Sequence, residues 1–249
     1  MYIGDVHILG YLIVVILGGA VGYFLEWCND RLSEEKSVFS KEYFTLKHKK
    51  TNYILIFLMA AVYAILLYRF GFNYDIEKNI SLVKYMVLSP MLVSAFIIDY
   101  KLQIIPNRLN LTILETGLVF TLLSGIFINY NVAINMLLGS LIGGGIFLLI
   151  TLIGGLIAGK EAMGFGDVKL MGAMGLYFGA INIAAVAIIA FLLGAIISII
   201  LISTKLRKTN EYIPFGPFIV LAAFIVILVP FDFLLSILLT IFTLGIYKV

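Results

Sequence analysis

Two aspartates in this sequence sit where a carboxylate is costly. Asp99 ends the apolar run Ala95-Phe96-Ile97-Ile98 and precedes Tyr100-Lys101-Leu102-Gln103-Ile104-Ile105-Pro106-Asn107. Asp167 lies in Met163-Gly164-Phe165-Gly166-Asp167-Val168-Lys169-Leu170, with Glu161 just ahead. Ionisable groups inside or at the edge of apolar segments are functional candidates by default. Two carboxyls held close do not both ionise, so one keeps its proton near neutral pH. The charged one can take a proton from an attacking water, while the neutral one donates to a scissile carbonyl and later to the leaving amine. That is metal-free aspartic endopeptidase chemistry. The pair titrates as a unit, so neither residue is assigned a fixed acid or base role. Gly164 and Gly166 fit, because absent side chains let a substrate backbone approach closely. Glu161 and Lys169 flank the second aspartate and are candidates for tuning it or binding substrate. Plainer readings exist for each acid alone. Asp99 could pair with Lys101 or Arg108, and Asp167 could be an anion at a helix N-terminus, where negative charge is favoured.

The elements that position these acids must be membrane helices. The 249 residues are 62% hydrophobic and 12% charged, with a mean hydropathy of +1.12, against about 25% charged residues in soluble domains. A bilayer core of about 30 Å needs roughly 20 helical residues. Apolar segments near 8–25, 53–70, 82–98, 109–128, 132–158, 168–182, 183–203 and 215–230 meet or approach that length. The stretch 231–247, apolar apart from Asp232, reads as a ninth span or a re-entrant tail. The expected fold is an all-α polytopic bundle of about eight transmembrane helices, since backbone groups in lipid must be satisfied internally. Gly172, Gly175 and Gly179, with Gly139, Gly143, Gly144 and Gly145, are read as sites of close helix packing.

Charge orients the bundle. Loop 26–52 carries Arg31, Lys36, Lys41, Lys47, Lys49 and Lys50. Further basic residues fall at Lys101, Arg108, Lys160, Lys169, Lys205, Arg207 and Lys208. All lie on one side if the spans alternate, and the positive-inside rule makes that side cytoplasmic. Asp99 and Asp167 then share the cytoplasmic boundary. The segment 8–25 has no basic region ahead of it and reads as a retained anchor. The division expected is 1–52, a first helix plus a cytoplasmic loop, and 53–249, the catalytic bundle.

Other classes fare worse. A net charge of +3 does not point to nucleic acid. Cys28 is the one cysteine, which excludes an internal disulfide framework and a multi-cysteine zinc site. His7 and His48 are too far apart in the topology to share a metal. Glu115 reads as a buried, hydrogen-bonded group. The rival function is a transporter using its acids as an ion site, which would place them near mid-membrane in inverted repeats.

Three motifs resemble the type IV prepilin peptidases, a family of membrane aspartic proteases. They are Asp99 followed by Ile105-Pro106-Asn107 and Leu109; the Gly164-to-Leu170 run with Asp167; and Ile213-Pro214-Phe215-Gly216-Pro217-Phe218. The resemblance covers 80–230. It implies a multi-pass enzyme of the bacterial cytoplasmic membrane that cleaves the basic leader of prepilins and pseudopilins at the cytoplasmic face, after a glycine. It carries the catalytic roles to Asp99 and Asp167 and a supporting role to Pro106. Many relatives also methylate the new amino terminus with S-adenosylmethionine and hold zinc through two CxxC pairs in the first loop. This chain lacks those cysteines, so zinc is not expected, and 26–52 is the only segment with room for methyl transfer or docking.

Overall fold

The computed structural model describes residues 2–3, 6–33, 52–72, 75–158, 163–204 and 213–242. A two-stranded hairpin, β1 (Tyr2–Ile3) and β2 (Val6–His7), leads into the helices. These are α1 (Ile8–Ser33), α2 (Tyr53–Phe70), α3 (Ile76–Leu102), α4 (Asn107–Phe127), α5 (Tyr130–Ala158), α6 (Phe165–Ser203), α7 (Gly216–Leu228) and α8 (Phe231–Phe242). The chain is an all-α membrane helix bundle, and six helices are long and apolar enough to cross a bilayer. Two boundaries differ most from the sequence reading. α1 continues to Ser33, so residues 26–33 are helix and not loop. α3 begins at Ile76, because Asp75 caps it by accepting from the Glu77 N–H at 3.0 Å, the ordinary work of an N-cap aspartate. The rest of the expected loop, 34–51, lies outside the described residues.

The expected spans 168–182 and 183–203 are continuous in α6 but folded at Gly179, whose φ of 74° and ψ of 176° are not helical. The chain turns back on itself there. Gly143 meets Met171 on the outgoing half and Ile183 on the return, and the Phe147 and Phe191 rings pack at 5.4 Å. Asn135 of α5 caps the return half, its Oδ1 accepting the Ala180 N–H at 3.2 Å. Phe165–Phe178 rises about 21 Å and Ala180–Ser203 about 36 Å at 1.5 Å per residue. On the outgoing side, a Cβ at Gly139 or Gly175 would strike the other helix's backbone. This is the close approach that small residues permit in membranes.

α3 contains Pro90, which removes the N–H that would bond the Met86 carbonyl one turn earlier. The Tyr63 hydroxyl of α2 donates to that carbonyl at 2.9 Å, so the freed group is satisfied inside the bundle, as an apolar solvent demands. α7 has 13 residues and α8 has 12, about 20 and 18 Å, both short of the hydrocarbon thickness. The stretch 231–247 is thus a short helix to Phe242, with the remainder outside the described residues.

Candidate active site

Asp99 occupies the last turn of α3 and is 4% exposed. The helix stops just beyond it, where Gln103 adopts a left-handed φ of 57° and donates its N–H to the Asp99 carbonyl at 2.8 Å. Ile104 and Ile105 then lead to Pro106, the N-cap of α4. A residue before proline is pushed to extended backbone, which makes this linker tight. Asp167 lies in the first turn of α6 and is also 4% exposed. Gly164 is the N-cap there, and its carbonyl accepts the Asp167 N–H at 3.1 Å.

Both carboxylates lie at one end of the bundle, where Gly166, beside Asp167, packs against Ile105 of the α3–α4 linker that follows Asp99. A third element closes the site. The Gly216 N–H, in the first turn of α7, donates to Asp99 Oδ2 at 2.9 Å. Helix N-termini carry partial positive charge and unpaired N–H groups, so α7 aims a donor and a favourable dipole at this carboxylate. Pro217 follows at a first-turn position where a missing N–H costs nothing. The plainer pairing of Asp99 with Lys101 or Arg108 is not what the structure contains.

The other sequence candidates are placed differently. Gly166 packs under Ile105, which an added Cβ would approach to 3.2 Å, so its smallness serves the α3–α4 linker. Its carbonyl accepts from Asn110 Nδ2 at 3.2 Å. Lys169 turns away from the carboxylates, its Nζ donating to Asn107 Oδ1 at 2.7 Å and lying 5.4 Å from the Phe165 ring. Two residues along a helix is about 200° of rotation, which puts Lys169 on the opposite flank of α6 from Asp167. Pro106 is buried at the start of α4. Glu161 lies outside the described residues. Glu115 is exposed, on an outward face with Leu111, Leu118 and Leu122, and not buried as expected. It follows α4's outer apolar stripe at helical spacing. Among the described residues no group of three His, Cys, Asp or Glu could hold a metal ion.

Gly216 and Asn110 were not singled out from sequence. The Ile213-to-Phe218 motif contained the first, but its role is a backbone N–H, which residue type does not advertise. Asn110, a polar residue on an apolar helix three positions after Asn107, was a visible signal.

The chain is a membrane helix bundle with two buried aspartates, one at the end of α3 and one at the start of α6. Residues 86–199 match the Type IV leader peptidase family. A prepilin leader peptidase/N-methyltransferase of Xanthomonas campestris pv. campestris is 30% identical over 202 residues, 80% of this chain and 67% of that protein. One of the same description from Aeromonas salmonicida is 33% identical over 143 residues, 57% of this chain and 48% of the relative. A type 4 prepilin-like proteins leader peptide-processing enzyme of Escherichia coli O78:H11 is 34% identical over 132 residues, 53% and 46% of the two chains. The chain belongs to the Type IV leader peptidase family. Its match spans about half the length of most of these relatives. No solved structure matches.

Proposed function

We propose that this chain is an aspartic endopeptidase that removes the leader of prepilins and pseudopilins, with Asp99 and Asp167 as its catalytic pair. The observation that carries the reading is the burial of two carboxylates at one end of the bundle, with the α7 N-terminus bonded to one of them. The pair shares a proton. One carboxylate activates water, the other protonates the carbonyl oxygen and then the departing amine, and the roles exchange on each turnover. The Gly216 N–H holds one Asp99 oxygen and leaves the other for the reaction. We place this end of the bundle at the cytoplasmic face of the bacterial inner membrane, on the charge distribution read above. The ion-pathway reading gains nothing from acids at helix ends and a Glu115 that faces outward.

Any methyl transfer from S-adenosylmethionine is placed, as a proposal from sequence, on the stretch between α1 and α2, which includes residues outside the described ones. The relatives' names support including the activity in the test. Coexpression with a prepilin and mass spectrometry of the product's amino terminus reads both steps at once. Cleavage after the leader glycine is the expected result, and intact prepilin beside well-expressed, membrane-inserted enzyme overturns the reading. An unmodified terminus on cleaved pilin, with S-adenosylmethionine supplied, removes methyl transfer and leaves the peptidase.

A further inference from the structure

Away from the carboxylates, a cavity of about 450 Å³ lies between α1, α3 and α4. It runs along α1 from Val21 to Leu32, with Met91 of α3 and Leu109 of α4 opposite, and its lining is almost wholly apolar. Arg108, in the first turn of α4, stands at the end nearest the site. Its side chain is exposed, and among the described residues no carboxylate pairs with it. An apolar slot ending in an arginine has the polarity of a phospholipid. A slot of about 450 Å³ has room for an acyl chain, and the arginine at its end supplies the charge that a phosphate headgroup needs.

We propose that this cavity is a binding site for one anionic phospholipid, an acyl chain lying along α1 and α3 and the phosphate on the Arg108 guanidinium. The lipid completes the contact between α1 and the α3–α4 pair. Cys28, which lines the slot and is the chain's one cysteine, reports occupancy without further engineering. The test is native mass spectrometry of the full chain in detergent with equal phosphatidylglycerol and phosphatidylcholine, beside the rate of Cys28 alkylation by N-ethylmaleimide. Wild type should retain one phosphatidylglycerol about fivefold over phosphatidylcholine, the effect of one basic residue at an anionic surface. Phosphatidylglycerol should also slow the alkylation. Arg108→Gln should bring the two lipids to parity and remove the protection, and Arg108→Lys should keep both. Equal retention of the two lipids by wild type overturns the proposal, as does a preference that survives Arg108→Gln. Retention without protection of Cys28 places the lipid elsewhere and overturns it too.

Discussion

Gly216 and Asp99 touch so closely that a Cβ on Gly216 would lie 2.5 Å from Asp99 Oδ2. Gly216→Ala should therefore displace the Asp99 carboxylate without removing either aspartate from the chain. A misplacement of about 1 Å can cost on the order of 100-fold in rate, so kcat should fall by about that factor, with KM for a prepilin peptide little changed. Asp99→Asn and Asp167→Asn should each remove cleavage by at least about 10²–10⁴-fold, the range of general acid–base catalysis. Expression and insertion should be unaffected; a variant retaining a sizeable fraction of activity would remove that residue from the pair. The aspartates were legible because an acid at the edge of an apolar run is rare and expensive. Gly216 was not, because what matters is its main-chain N–H and a contact across the fold.

Among the helices, two irregularities carry the packing. Gly179 folds α6 with backbone angles that nearly all other residues avoid, and an added Cβ would meet Asn135 Nδ2 at 2.6 Å. Gly179→Ala should lower stability by about 1–3 kcal/mol, seen as a lower thermal midpoint in detergent. Tyr63→Phe should cost about 1 kcal/mol, because it leaves the Met86 carbonyl with only the longer bond from Ser89 Oγ at 3.3 Å. In a Pro90→Ala background that loss should shrink, since a restored helical N–H takes the carbonyl back. An unchanged Tyr63→Phe effect in that background would disconnect the tyrosine from the proline. Hydropathy located every long helix but not its ends. Residues 26–33 read as loop because Glu26, Asp30 and Arg31 are polar, yet α1 keeps its helical bonds past the apolar run, as a helix end in the interfacial region can. The α6 fold was legible as two spans, because a continuous apolar stretch from 168 to 203 is too long for one crossing.

The bundle as assembled brings the ends of α3 and the starts of α4, α6 and α7 to one side. Its direction in the membrane is an expectation from charge alone, and it is open to measurement. In a Cys28→Ser background, cysteines at Ser37, Lys160 and Lys205 should resist an impermeant thiol reagent in intact cells, while one at Asn79 should react. The reverse pattern would put the aspartates on the side away from a cytoplasmic leader. Charge could suggest this arrangement because basic residues gather in alternate connections. It could not show that Asp99 and Asp167 are near each other, since membrane depth says nothing of position around the bundle.

The hydrogen bond between Asp99 and Gly216 spans 117 residues of chain, and this has a consequence for biosynthesis. A nascent chain that has threaded α1 to α6 into the bilayer already holds both aspartates, yet Asp99 still lacks the donor that fixes it. On the proposed mechanism, the Asp99 carboxylate reaches its set geometry late, when α7 leaves the ribosome and docks. Until then the growing chain carries both aspartates without the contact that fixes one of them.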